Sequence, residues 1–226
     1  MRPLIIMNGE KIDWCRTVIR MLMYLAGVAT LALGMSLQTA SGLGVVALTC
    51  FATTLSMLKG KTLGFWITAT YVAYIVAQLA ILRREFQPRI LLELCFSTLI
   101  GGFTDFFMAV NPLHPTALPT QVSTMLLSLA ITAFGVSLVV NMGVVPNAPD
   151  GLVQVIAEKL KRRFGDVKVI FDCSHVAVSL VLSLALMHNL GGFGVTTAIS
   201  ALFLGHVINV ANELFAQRFI RAAFGK

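Results

Sequence analysis

The sequence predicts an all-α polytopic membrane protein that is built from two related halves. Of its 226 residues, 57% are hydrophobic and 12% are charged, whereas an average soluble domain is about 25% charged. Several stretches of about 20 residues carry no charge, and a helix of that length crosses about 30 Å of hydrocarbon. Short sequence patterns in the first half also recur about 100 positions later, which indicates an internal duplication.

Six apolar segments are long enough to be transmembrane helices. They comprise residues 17–38, 63–82, 90–110, 120–140, 168–187 and 194–214. Two further segments, about 45–58 and 149–164, are shorter. The second contains Pro149 and Asp150, which suit the start of a helix, and it ends in a basic run, which suits the end of one. We therefore predict six spans and two half-helices.

The duplication is visible in the glycine-containing motifs of the two halves. Residues 34–37 read Gly-Met-Ser-Leu, and residues 135–138 read Gly-Val-Ser-Leu, 101 positions later. Residues 95–105 align with residues 199–209, 104 positions later. Duplication in a membrane protein predicts a pseudo-twofold axis, and in transporters the substrate site often lies where the repeats meet.

The whole chain, 1–226, is expected to form one membrane domain. We assign repeat 1 to about 17–112 and repeat 2 to about 118–214. Residues 215–226 mix aromatic and basic side chains, which predicts an amphipathic tail at the membrane surface.

The basic residues predict where the chain termini lie. With six spans and two re-entrant half-helices, 15 of the 17 basic residues face the cytoplasm, as the positive-inside rule requires. With eight spans the distribution is nearly as good, so the rule does not choose between the two arrangements. Both place the N- and C-termini in the cytoplasm. Three spans and a half-helix per repeat make the repeats inverted, and the alternative of four spans each makes them parallel.

Ionisable side chains inside spans are candidates for a functional site, because they are costly in the bilayer. Asp105 lies deep in the segment 90–110, and Asn209 is its repeat counterpart with His206 one turn before it. Asp172 and His175 lie one turn apart in the segment 168–187. The alternative role for all five is to join neighbouring helices by hydrogen bonds.

Glu93 ranks below these candidates. It lies near the end of a predicted span, so its carboxylate is expected to reach the membrane surface.

The segment 141–150 is the most informative single stretch. Its glycine and prolines leave backbone groups without helical partners, which is tolerated at membrane depth only inside protein or beside a water-filled cavity. The N-terminus of the helix that follows would present free N–H groups to that cavity. The polar residues expected to contribute there, including those of the matching first-repeat loop, are Asn141, Asn147, Asp150, Gln154, Ser41 and Thr49.

The sequence contains no recognisable catalytic, metal-binding or phosphate-binding motif. We therefore expect no enzymatic activity, no cofactor and no metal. The basic residues occur in short clusters between apolar segments, so no nucleic-acid partner is expected either. The expected partners are the lipid bilayer, a small-molecule or ion substrate, and a second copy of the chain or another membrane protein.

The glycine-based motifs resemble those of the YczE/YyaS/YitT group of bacterial inner-membrane proteins. The residues that carry the resemblance are Gly34, 41–45, 101–105, 143–146 with Asp150, 192–196 and 201–205. The resemblance implies a polytopic protein of the bacterial inner membrane that moves a small molecule or supports secondary metabolism and export. This chain has Ala47 and Leu48 where that group often has Pro-x-Asp in the first repeat. We therefore expect one asymmetric site rather than two equal ones.

Together these features predict a secondary transporter or exporter of a small solute, in which Asp105 or Asp172 carries a coupling proton. Two alternatives remain open at this point. One is a non-transporting membrane partner or accessory subunit, and the other is a channel.

Overall fold

The computed structural model describes residues 14–83, 88–145, 147–162, 164–188 and 193–224, with only the backbone described for residues 216–224 and a few others. The described residues contain α-helices and short 3₁₀ turns and no strand. The helices are α1 (Trp14–Ala40), α2 (Cys50–Lys59), α3 (Leu63–Leu82), α4 (Leu92–Val110), α5 (Leu118–Met142), α6 (Ala148–Leu160), α7 (Phe164–Met187) and α8 (Val195–Phe224). The 3₁₀ turns are Ala47–Thr49, directly before α2, and Pro88–Leu91, directly before α4. For the part of the chain that the structure describes, the prediction of an all-helical protein is confirmed.

Local sequence explains where several helices begin and end. Thr62 precedes α3, and its side-chain oxygen accepts a hydrogen bond from the N–H of Phe65 at 3.2 Å, which satisfies a free donor of the first turn. Proline stands in the first turn of α5 and of α6, where its missing N–H costs nothing. Gly60 and Gly143 end α2 and α5 in the left-handed conformation that favours glycine.

Four helices are long and apolar enough to span a membrane, as expected of a membrane protein. They are Arg16–Ala40, Leu63–Leu82, Leu92–Val110 and Leu118–Met142. The last two segments predicted to span correspond to α7, with its apolar stretch Ile170–Leu186, and to α8. The helix α8 continues without a break to Phe224, so the predicted tail is helical as far as that residue.

The two short segments are also helices. The 10 residues of α2 and the 13 residues of α6 correspond to about 15 Å and 20 Å at 1.5 Å per residue. Neither length crosses about 30 Å of hydrocarbon. Each short helix packs against a helix of the other predicted repeat: α6 lies on α3, and α2 lies on α7.

The centre of the fold is the antiparallel pair α1 and α5, which pack at backbone-to-backbone distance. A Cβ atom at Gly34 would lie 2.8 Å from the backbone N of Thr132, and a Cβ at Gly135 would lie 2.5 Å from the backbone N of Leu31. Only glycine allows helices to approach so closely. The outer flanks of the pair are covered by α4, which packs on α1, and by α8, which packs on α5.

We expect Gly34→Ala and Gly135→Ala to destabilise the protein by about 1–3 kcal/mol each, because the new methyl group meets backbone that cannot move aside. The free energy of unfolding in mixed detergent micelles measures the effect. Gly102→Ala is the matched control, because a Cβ there has no neighbour within 4 Å. If Gly102→Ala lowers the free energy of unfolding as much as Gly34→Ala does, the packing described for α1 and α5 is contradicted.

Candidate functional site

Glu93 forms the centre of a buried polar cluster between α3, α4 and α6. It lies in the first turn of α4, yet its side chain is only 2% exposed. Gln78 of α3 is 1% exposed, and its amide N donates to Glu93 Oε2 at 2.7 Å and to the carbonyl O of Ala148 at 3.1 Å. A buried carboxyl group is stable only when it is hydrogen-bonded. Gln78 supplies such a bond and connects the carboxyl group to α6.

The first turn of α6 covers the Glu93 carboxyl group. A Cβ atom at Gly151 would lie 2.7 Å from Glu93 Oε1 and 3.0 Å from Gln78 Oε1, so only glycine leaves room for both side chains. The N-terminal end of a helix carries a partial positive charge that favours a nearby carboxylate. The acidic side chain of Glu93 and the start of α6 therefore stabilise one another.

Two polar groups beside this cluster lack satisfactory hydrogen bonds. Tyr71 of α3 is 1% exposed, and its hydroxyl group approaches the side chain of Asn147, the residue that precedes α6. Among the described residues, neither the Tyr71 hydroxyl nor Asn147 Oδ1 has a partner in good geometry. Asp150, in the first turn of α6, lies within electrostatic range of Tyr71. The start of α6 thus joins the acidic cluster to the aromatic side chains of α3.

A tyrosine–histidine pair continues the polar path from α3 to α7. The Tyr74 hydroxyl is hydrogen-bonded to His175 Nε2, and His175 Nδ1 lies 2.9 Å from the carbonyl O of Phe171. Since a carbonyl can only accept, Nδ1 carries a proton, and Nε2 then accepts from Tyr74 when the ring is neutral. The rings of Tyr71 and Tyr74 are 6.1 Å apart. His175 and Tyr74 also line a cavity of about 240 Å³ between α2, α3 and α7.

A second junction, formed by the loop between α1 and α2 and by the start of α8, is made of neutral groups. The backbone N of Thr196 donates to the carbonyl O of Leu43 at 3.0 Å, and the Thr197 hydroxyl donates to the carbonyl O of Val45 at 2.8 Å. The Ser200 hydroxyl accepts from the N–H of Ala47 at 3.2 Å. Here hydroxyl groups bond to the backbone at the start of the short helix, whereas at α6 the Gln78 amide does so, beside the Glu93 carboxyl group.

The predicted site residues Ser41 and Thr49 belong to this neutral junction, and both are buried. The Ser41 hydroxyl donates to the carbonyl O of Gln38 at 2.7 Å, and the Thr49 hydroxyl donates to the carbonyl O of Val46 at 3.1 Å. Both side chains therefore stabilise the unwound backbone next to them.

Asp105 and Asn209 are not brought together. Asp105 Oδ1 accepts from the N–H of Gly64 at 2.7 Å, so the carboxylate caps the first turn of α3. Asn209, its repeat counterpart, is exposed on α8. The side chain of His206 lies outside the described residues. Asp105 is therefore part of a helix-capping contact that joins α4 to α3.

Asn141 joins α5 to α8 rather than to the acidic cluster. Its amide N donates to Asn212 Oδ1 at 2.8 Å, and the Ser137 hydroxyl donates to the same oxygen at 2.5 Å.

Gln154 lies on the exposed face of α6 and donates to Glu158 Oε1 at 3.0 Å. Asp172 is half-buried on α7, one turn before His175.

The structure corrects the low rank of Glu93. Its position near the end of a span indicated a carboxylate that reaches the membrane surface, but α6 packs over it. The sequence patterns do not indicate Gln78 and Tyr71 as site residues either. Two sequence signals were available: a carboxylate that starts a long apolar helix, and Gly151 directly after Asp150, where most helices would carry a larger residue.

Within the described part of the chain, no group of three or more His, Cys, Asp or Glu side chains is placed to hold a metal ion. The cluster at α6 consists of one deeply buried carboxyl group, amides and phenols. Such groups can bind protons and exchange hydrogen bonds with a ligand.

The fold and the cluster define a helical protein with several candidate membrane spans and a buried acidic cluster. More particularly, residues 18–213 match the DUF6198 family of unknown function, and the chain belongs to that family. No curated protein and no solved structure matches the chain.

We expect Gly151→Ala to destabilise the protein by about 1–3 kcal/mol, because its methyl group displaces the Glu93 and Gln78 side chains. Glu93→Ala removes one of the two side chains that the new methyl group meets. The free energy of unfolding of the double variant should therefore fall by about 0.5–3 kcal/mol less than the sum of the two single decreases. Unfolding in mixed micelles measures all four proteins of this cycle. Strict additivity would show that Gly151 and Glu93 are not in contact.

Proposed function

We propose that this protein is a secondary transporter of a small solute, built from two inverted repeats of three spans and one half-helix each. The observation that carries the proposal is the acidic cluster at the start of α6, where a short helix from one repeat covers a buried carboxyl group of the other. Half-helices whose ends meet at the repeat interface are the usual place for substrate and ion sites in transporters.

The short helices support the duplication residue by residue. A shift of 101 positions maps the 3₁₀ turn and α2, 47–59, onto α6, 148–160. The preceding residues, Val46 and Asn147, have similar backbone angles, with φ of −58° and −67°. The following residues, Gly60 and Lys161, are both left-handed, with φ of 66° and 52°.

The contacts between α1 and α5 support an inverted relation. Under the same shift, the contact between Gly34 and Thr132 becomes the contact between Gly135 and Leu31, and both contacts are present. Such exchange is what a twofold axis between antiparallel helices produces.

A second pair of contacts obeys the same shift. The Arg20 guanidinium donates to the carbonyl O of Gly143 at 2.8 Å. The equivalent residues are Gln121 and Gly42, and a Cβ at Gly42 would lie 3.4 Å from Gln121 Nε2. Arg20, near the start of α1, thus contacts the loop after α5, and Gln121, near the start of α5, lies beside the loop after α1.

The position of α6 supports a half-helix. Asn147, directly before α6, approaches Tyr71 near the middle of α3, and Gly151 lies beside Gln78, nearer the end of α3. The helix therefore starts at mid-depth of a candidate span and runs towards one membrane face. That arrangement favours six spans over eight, with both termini in the cytoplasm.

We further propose that the transport is proton-coupled and that Glu93 carries the proton. Among the described residues, Glu93 is the one charged side chain that is fully buried. Asp105 caps α3, and Asp172 is half-buried. Gln78 of α3 donates to the Glu93 carboxyl group, and Tyr24 of α1 lies within electrostatic range of it. Asp150 lies within electrostatic range of Tyr71, beside the cluster. Protonation would remove the charge that the start of α6 stabilises, so it would favour movement of α6 away from α4.

The proposed setting is the bacterial inner membrane, as in the YczE/YyaS/YitT group that the motifs resemble. Transport would proceed by rocking of the two repeats around the loops 41–49 and 141–154, with Glu93 in place of Asp105 or Asp172 as the coupling residue.

We expect a transported solute to move protons across liposomes that contain the purified protein. An internal pH-sensitive dye, read while a panel of solutes is added in turn, detects that movement. Glu93→Gln should abolish the solute-induced pH change while solute exchange across the membrane continues, because a neutral amide does not carry the proton. Glu213→Gln, at an exposed acidic position of α8, is the control.

Loss of the pH change in Asp105→Asn or Asp172→Asn, with a normal response in Glu93→Gln, would overturn the assignment to Glu93. Absence of any solute movement in the unmodified protein would overturn the transport proposal itself.

A further inference from the structure

Gln38, in the last turn of α1, is completely buried, and its side chain lacks hydrogen bonds within the described part of the chain. It is 0% exposed, and among the described residues neither its amide N nor its amide O has a partner. A buried carboxamide without partners is costly, because both groups lose their bonds to water. Native proteins rarely retain such a group unless it has another use.

Gln38 lies on the face of α1 that packs against α5. Gly27, Leu31 and Gly34 of α1 are the positions in contact with α5. Gln38 follows at the next helical step of the same stripe, four residues after Gly34. Because Gly27, Leu31 and Gly34 meet Val139, Gly135 and Thr132, the antiparallel register places Ser128 opposite Gln38.

The side of α5 that faces Gln38 is polar and neutral. The Thr132 hydroxyl is 2% exposed and has no hydrogen-bond partner among the described residues. Ser128 is 0% exposed, and its hydroxyl donates to the carbonyl O of Met125 at 2.7 Å, so its lone pairs remain as acceptors. Among the described residues, Gln38 and Thr132 therefore both lack side-chain partners, and Thr132 packs against Gly34, one helical turn before Gln38.

The buried acid lies far from this place. Glu93 is within electrostatic range of Tyr24 of α1. Gln38 is 14 residues further along the same helix, which corresponds to about 21 Å. The surroundings of Gln38 therefore suit a ligand without charge.

We infer that Gln38, with Thr132 and Ser128, forms a binding site for a neutral solute that presents a hydrogen-bond donor and an acceptor side by side, as a carboxamide does. A carboxamide side chain offers one acceptor and two donors in a plane, and a second amide group is complementary to it. Thr132 adds a hydroxyl group that donates or accepts. This inference rests on the proposed transport function and names the substrate class for it.

The α1–α5 interface is closed in this structure, with Thr132 packed directly against Gly34. Solute binding therefore requires the two helices to separate at this end, which is the movement that rocking of two repeats produces. Protonation of Glu93 and solute binding at Gln38 then act on the same pair of repeats from positions about 20 Å apart.

Binding of small amides to the purified full-length protein tests the inference. The probes are acetamide and propionamide, with acetate and ethylammonium as charged analogues of similar size. A ligand that binds the folded state raises the midpoint of thermal unfolding, which tryptophan fluorescence can follow. We expect both amides to raise the midpoint at concentrations where the charged analogues have no effect.

Thr132→Val should weaken amide binding at least about tenfold, and Gln38→Leu should abolish it. The matched control is Thr124→Val, two turns earlier on α5, where the hydroxyl group already donates to the carbonyl O of Thr120. Gln38→Leu should also raise the unfolding midpoint of the ligand-free protein, because it removes the unsatisfied amide. If Gln38→Leu does not fold, Thr132→Val and its control decide the question.

Amides that fail to stabilise the unmodified protein, or that stabilise Thr132→Val as strongly, would overturn the inference. Because this measurement detects binding alone, its failure is distinct from failure of transport in liposomes.

Discussion

The close approach of α1 and α5 is the contact on which the rest of the structure depends. Gly34 and Gly135 remove the side chains that would keep these helices apart, so backbone meets backbone at two places in the pair. The flanks of the pair are covered by α4, which packs on α1, and by α8, which packs on both α5 and α1. Around this pair, α6 lies on α3 and α7, and α2 lies on α7 and α3, so each short helix contacts a helix of both proposed repeats.

The two short helices are held by different chemistry. At α6, the Glu93 carboxyl group and the Gln78 amide occupy the space left by Gly151, and a protonation event there alters a charge beside a helix N-terminus. At α2, hydroxyl groups of Thr197 and Ser200 make the corresponding contacts, and these do not change charge. The proposed transporter therefore has one titratable junction and one neutral junction. Gln38, which lacks side-chain partners among the described residues, lies on the face of α1 that packs against α5.

The sequence predicted the helical fold, the two short helices and their approximate ends, because helix length, apolar periodicity, prolines and glycines are local signals. The burial of Glu93 could not be predicted in this way, since it depends on α6, which is more than 50 residues away in the chain. Asp105 was selected for its depth in a span, but depth does not reveal that its carboxylate caps α3. The repeat alignment paired Asp105 with Asn209, but an alignment does not indicate which way a side chain faces.

The inverted arrangement of the two halves is the central claim, and the sidedness of the two short-helix ends tests it most directly. Single cysteines replace Lys59, at the end of α2, and Lys161, directly after α6, in a protein whose native cysteines have been replaced. A membrane-impermeant thiol reagent is then applied to intact cells and to inverted vesicles. Inverted repeats with half-helices predict that position 59 reacts from outside and position 161 from the cytoplasm. Reaction of both positions from the same side would contradict the account and indicate eight spans in parallel repeats.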